Sequence, residues 1–289
     1  MNNDDGRTAS ARPDTEELAS AEVVRYRLRQ RFSYSYTGHA YDLRHRLVVV
    51  PPSVHGDQRL RLGSVEVSSP DAEVIWRGDE DGNRTTSVRL AVVPETVDMM
   101  VSVMVERGGE SALLSSSLLR DNRMLRPTPL TTPDERIRSV AREHAVADAE
   151  ETADNICTLI PTLVAYGFGA TDVDTPAADA LAGGMGVCQD QAHVMLAMCR
   201  SVGVRARYVS GHLVGQGGTH AWVEVLVPDG LGARAVAFDP CHGRRTDRRY
   251  VTIATGRDYR DVAPTSGSYS GGARGELSTT RALTAEIVA

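Results

Sequence analysis

Partway along this chain the spacing of its apolar residues changes, and no other feature restricts the fold as much. From residue 21 to about 119 apolar side chains recur at even spacing; after Pro133 they recur at i, i+3 and i+4. Even spacing gathers alternate side chains on one face of a strand, whereas three-and-four spacing gathers them on one face of a helix. The chain should therefore fold as a β-region followed by a region that mixes helices with strands.

In the first region Val23, Tyr26, Leu28, Phe32, Tyr34 and Tyr36 fall in a half-buried strand pattern. A run at 47–50 stops at Pro51-Pro52, and further short runs at 60–67, 74–76, 85–93 and 99–106 are separated by turn-rich pieces such as 79–83. Several short strands at this spacing predict a β-sandwich of roughly 100 residues over 21–119. Residues 1–20 are polar and acidic without an apolar period, which predicts a disordered leader. Pro127, Pro129 and Pro133 mark 120–133 as a linker. Pro133-Asp134-Glu135 then opens a helix with Ile137, Val140 and Ala141 on one face. A second helix runs from about Ala149 to Ile160, where Pro161 should kink or end it. A short helix over 177–182 precedes Gly183-Gly184-Met185-Gly186, and another helix starts near Cys188. Strands are expected at 206–213, 220–227 and 233–238. The second unit spans 134–272, and 273–289 is a tail or a return strand.

Composition narrows the function. The charges sum to −6 over 289 residues, and no lysine is present, so every basic residue is arginine. An acidic balance argues against a nucleic-acid partner, and the arginine bias suggests a GC-rich bacterial genome. No stretch reaches the roughly 20 apolar residues of a membrane span. The polar start lacks a signal-peptide pattern, so the cytoplasm is the expected compartment. Four cysteines without a CxxC pair make a disulfide framework or a zinc site a poor reading.

The chemistry concentrates in three places. A cysteine nucleophile reacts as the thiolate, and a helix N-terminus favours that anion. Cys188 sits where a helix should begin, just after a glycine-rich turn, and the same N–H groups could serve a substrate oxyanion. His220 opens Thr219-His220-Ala221-Trp222-Val223-Glu224-Val225, on a strand that can mount a base. Asp239 ends the next strand, where it can orient the imidazole and stabilise imidazolium. Adjacent antiparallel strands would bring the last two together.

The stretches Gly186-Val187-Cys188-Gln189-Asp190-Gln191-Ala192-His193, Thr219–Val225 and Phe238-Asp239-Pro240-Cys241-His242-Gly243, with Ser210-Gly211-His212-Leu213, resemble the catalytic blocks of the bacterial transglutaminase-like superfamily. Weaker likenesses are the loop at 170–175 and the tail at 256–264. The resemblance covers about 134–272, and many members carry a β-sandwich in front. It implies an α+β fold, with a papain-like catalytic core preceded by a small β-sandwich domain. It also implies acyl transfer through a cysteine thioester, with Cys188, His220 and Asp239 as the nucleophile, base and orienting acid of a catalytic triad. Neither a cofactor nor a metal is implied. Gln191 stands where the family usually has an aromatic residue, and Cys241 where it often has threonine.

Each residue also has a plainer reading. Cys157 and Cys199 read as small core residues, and Asp239 before Pro240 could simply start a turn. His193 reads as a core histidine, and His212 and His242 as neighbours of the site. Asp190 suits N-terminal capping. Gln189, Gln191, Trp222, Cys241 and His242 are the candidate neighbours of a substrate; the plainer and favoured reading of Cys241 is a replacement for a threonine of similar size, and a regulatory disulfide with Cys188 is the alternative. The expected activity is peptidase- or amidase-type hydrolysis by a cysteine enzyme acting on a peptide, amide or acyl-thioester substrate. The alternatives are an amide-forming acyltransferase working on a carrier-protein-bound acyl group, and a non-catalytic binding protein of the same fold.

Overall fold

The computed structural model describes residues 15–288. Of the leader expected over 1–20, residues 1–14 lie outside these, and Thr15–Ser20 forms a short helix, α1. Its Leu18 is buried, and that apolar anchor is the physical reason this piece departs from a disordered leader.

Seven strands follow: β1 (Val23–Tyr36), β2 (Ala40–Val50), β3 (Val54–His55), β4 (Gln58–Val67), β5 (Glu73–Gly78), β6 (Arg84–Val93) and β7 (Thr96–Gly108). Along β1 every second residue from Val24 to Tyr36 is buried, as the even spacing requires. The connection from 109 to 134 is not a free linker. It winds through three short 3-10 turns, buries Met124 and Leu130, and ends with Thr131 Oγ1 accepting from Arg200 Nη1 at 2.9 Å. Arginine in a core needs partners, and the connection supplies one.

The second half begins with α2 (Glu135–His144), capped by Asp134, whose side chain accepts from Ile137 N at 2.7 Å. It continues through α3 (Ala149–Leu163), β8 (Ala165–Tyr166), α4 (Ala177–Gly183), β9 (Met185–Gly186), α5 (Cys188–Ser201), β10 (Ala206–Leu213), β11 (His220–Asp229), β12 (Gly232–Asp239), β13 (Arg244–Arg245), β14 (Tyr250–Gly256) and α6 (Tyr259–Val262). Pro161 lies inside α3, near its end, so the helix stops two residues beyond it. The strands β13-β12-β11-β10-β14 form one antiparallel sheet in that order. Helix α5 packs on β10 and β11 and is itself ringed by α2, α3 and α4. Every residue of α5 from Gln189 to Arg200 is buried, polar ones included.

Two last strands, β15 (Thr265–Gly271) and β16 (Gly275–Ile287), return to the first half. The sandwich sheets are β16-β1-β7-β4-β3 and β15-β2-β6-β5. The unit boundary expected at 272 therefore moves to before Thr265, because β15 pairs with β2 and not with the second-half sheet. The two halves share one continuous core. At their contact Gln58 Nε2 donates to Thr252 O at 2.8 Å while its Oε1 accepts from Thr252 N at 3.0 Å. Asn83 does the same at Thr255, with both bonds at 2.8 Å. Beside these pairs, buried Glu224 holds Arg207 at 2.7 Å and His55, from β3, at 2.6 Å. No helix among the described residues is long and apolar enough to cross a membrane.

Candidate active site

The thiol is placed by a tight turn. β9 pairs in parallel with β8, Val187 is extended, and α5 starts at Cys188. Asp190, one turn into the helix, folds back so that its Oδ2 accepts from Val187 N at 2.8 Å and from Thr171 Oγ1 at 2.6 Å. This is the capping role expected of it. It also explains Gly186, where a Cβ would lie 2.7 Å from that of Asp190.

His220 starts β11 opposite Gly211 of β10. A Cβ at 211 would meet Val251 O at 2.2 Å and the Trp222 ring at 2.4 Å, so only glycine fits there. Asp239 closes β12. Its Oδ2 accepts from His220 Nε2 at 2.8 Å, His242 Nδ1 at 2.7 Å and the Tyr250 hydroxyl at 2.7 Å. Its Oδ1 accepts from Cys241 N at 2.9 Å, so the turn reading and the imidazole-holding geometry hold together.

The imidazole is bonded through Nε2 to Asp239, which leaves Nδ1 for the Cys188 thiol. Burial alone would push His220 down, but the bond to Asp239 and the nearby Cys188 sulfur outweigh it and raise the imidazole to about 9. Burial likewise works against the charge on Asp239, yet the imidazole donors hold its carboxyl well below the usual range. Charge in this group is therefore kept by hydrogen bonds against desolvation. An imidazole in this position can take a proton from sulfur and give it to a departing group. His220, Asp239 and His242 also present ligand atoms within 4.8 Å of one another, the span of a metal-binding set. Those atoms already bond to one another.

Cys188 and His220 line an open cleft of about 1050 Å³. Gln189, Cys241 and His242 line it too. Gln189 also donates to Val173 O at 3.1 Å, holding the 169–175 loop. The other two candidate neighbours are placed elsewhere. Gln191 is buried beneath α3 and donates to Val164 O at 2.8 Å, because it sits on the inner face of α5. Trp222 is buried, stacked edge-on against Tyr250 with ring centroids 5.5 Å apart, and lines a separate 280 Å³ cavity against the sandwich. His193 and His212 are core histidines, each pushed down to about 3 by burial. Burial raises the Cys157 and Cys199 thiols as well, the latter to about 12. Cys241 is also raised to about 12, chiefly by burial and then by Asp239.

Three residues of this region went unread in the sequence. Tyr250 bonds the carboxylate of Asp239 from β14, and no local pattern says where that strand joins the sheet. Tyr166 and Phe168 form an exposed edge-to-face pair on the rim of the cleft, centroids 5.4 Å apart. Two aromatic residues in a glycine-flanked segment were the available signal.

The sequence model of the transglutaminase-like superfamily matches residues 138–240, and that of the bacterial transglutaminase-like N-terminal region matches residues 26–106. The chain belongs to the bacterial transglutaminase-like superfamily. An uncharacterized protein of Mycobacterium leprae is 35% identical over 170 residues, which are 53% of this chain and 57% of that protein. One of Mycobacterium tuberculosis is 34% identical over 129 residues, 40% of this chain and 41% of the other. The chain thus spans about half the length of the curated relatives it matches. A solved structure from Cytophaga hutchinsonii, described as a "putative cysteine protease", superposes with a TM-score of 0.71. The match covers 92% of this chain and 91% of the other at 20% identity, a likeness of fold.

Proposed function

We propose that this superfamily member is a cysteine-dependent acyl-transfer enzyme acting on an amide or thioester carbonyl. Cys188 Sγ, its proton already held by His220, attacks the carbonyl carbon as the thiolate; His220 then gives that proton to the leaving amine or thiol. Asp239 holds the imidazole and balances its charge. The observation that supports this reading is the His220 ring, bonded to a buried carboxylate and lining one cleft with a thiol at a helix N-terminus. Water completes the cycle by hydrolysing the thioester, so the activity is that of a peptidase or amidase. The aromatic rim of Tyr166 and Phe168 suits an apolar group beside the carbonyl.

Transfer of the acyl group to an amine, from a free or carrier-bound thioester, is the second reading. It is favoured by the space beyond Thr219, where the cleft adjoins a further cavity with room for an acceptor larger than water.

The test begins with iodoacetamide. Cys188 should be alkylated at least tenfold faster than the buried Cys157 and Cys199, an order-of-magnitude expectation from thiol access and thiolate character. Equal, slow labelling of all would leave a non-catalytic binding protein as the better account. Cys188→Ala should abolish turnover of thioester and amide substrates with the circular dichroism spectrum unchanged; turnover that survives it removes Cys188 from the mechanism. Mass spectrometry of the trapped acyl-enzyme, chased with water or with an amine, separates hydrolysis from transfer.

A further inference from the structure

A further cavity, of about 380 Å³, lies between the loop at 217–219 and strand β16. Gly217, Gly218, Thr219 and Tyr259 line both this cavity and the Cys188 cleft, so the two adjoin immediately before His220. Its floor is neutral, with Gln30, Phe32, Leu277 and Thr279 of the sandwich. Arg281 is the one charged residue in its lining.

Arg281 lacks the ion pair that several arginines of its sheet make. Arg25, Arg27 and Arg31 on β1 each meet a carboxylate, Glu106, Glu286 and Asp98 respectively. Among the described residues no carboxylate lies within ion-pair distance of Arg281. Its partners are the carbonyl of Gly217 and, at 3.4 Å, Nδ1 of His212. Burial keeps His212 neutral, so neither partner carries compensating charge. A half-buried guanidinium without a counter-ion pays desolvation with no Coulombic return. Five N–H donors in a planar fork also exceed what these two acceptors occupy.

We infer that the cavity beside β16 is a subsite for an anionic group of the acyl-transfer substrate, a carboxylate or phosphate, bound by Arg281 while the reacting carbonyl lies at Cys188. The inference rests on the reading of Cys188 as the nucleophile. The sandwich then contributes directly to substrate choice through its last strand. Anionic substrates gain a charge-assisted, fork-shaped contact that neutral analogues lack.

The probes are maleimides on alkyl chains of graded length, each ending in a carboxylate, a phosphonate or a neutral carboxamide. The measured quantity is the second-order rate of Cys188 modification in the full chain. At the chain length that spans the two spaces, an anionic probe should react about tenfold faster than its carboxamide twin, the discrimination of one charge-assisted contact. In Arg281→Gln that ratio should fall to about one while the carboxamide rate is kept, and Arg281→Lys should retain part of it. Whichever anion shows the larger ratio is the group the subsite reads. A ratio near one at every length in the unaltered protein overturns the inference, as does a ratio that Arg281→Gln leaves unchanged. If Arg281→Gln slows anionic and neutral probes equally, Arg281 merely pins the glycine loop and the subsite is again rejected. Failure of every probe to prefer Cys188 over the buried cysteines would instead defeat the nucleophile reading.

Discussion

Four hydrogen bonds converge on the Asp239 side chain, three of them on one oxygen. Such a carboxylate stays ionised, and an imidazole bound to it stays protonated well above the ordinary histidine range. His220 is raised from 6.5 to about 9. A raised imidazole stabilises the fold fully below pH 6.5, and that contribution is lost as pH climbs through 9. The displacement corresponds to on the order of 3 kcal/mol. Asp239→Asn should therefore move the His220 titration, followed by NMR of labelled histidine, back toward 6.5, and should flatten the loss of urea resistance across that window. A His220 titration unmoved by the change would mean that Asp239 does not hold the proton. Tyr250→Phe removes one donor and leaves the carboxylate more available to His220, so the same titration should move up. Cys188, His220 and Asp239 were legible because each begins or ends an element that glycines and apolar runs delimit. Tyr250 was not legible, since its contact with Asp239 is set by which strand folds next to which.

At the scale of elements, β14 is the edge strand of the second-half sheet, and an unpaired strand edge invites pairing with other chains. Gln58 and Asn83 seal it with side-chain amides, each matching both backbone groups of one residue. Asn83→Ala should cost about 2–3 kcal/mol in urea unfolding, from the two lost bonds and the buried groups they leave unmet. A loss below about half a kcal/mol would show that water replaces the amide freely. The strands of the first half were readable because alternation is a local property. Full burial of α5 was not, because its polar residues find partners far along the chain: Asp190 in Thr171, Gln191 in Val164, and Arg200 in Thr131 and Arg257. The same distance misled the reading of Gln191, which local sequence placed beside a substrate and packing placed under α3.

At the scale of the whole molecule, the second half is inserted into the sandwich: β1 and β2 lie before it, and β16 and β15, their outer neighbours, lie after it. The pairing of β1 with β16 runs from Val24 to Tyr36, one of the longest in the fold. Ending the chain after Gly272 would bare that whole edge and remove Arg281. The shortened protein should self-associate, seen as higher-mass species by light scattering after size exclusion; a stable monomer of unchanged unfolding midpoint would contradict this. Periodicity could find strands but not which of them pair across such a separation, so the return strand offered for 273–289 came without its partner β1.

That arrangement also sets an order of events during synthesis. β1 leaves the ribosome well before β16 and must wait for the whole intervening segment before β16 emerges to cover it. The helix that bears Cys188 and the strands around it are translated in the interval. The edge of β1 is thus covered after the thiol site is made, and a nascent chain stalled before β16 would carry a folded thiol site beside an open edge. Such a chain is a natural client for a chaperone that binds unpaired strands, and its release should coincide with the arrival of β16.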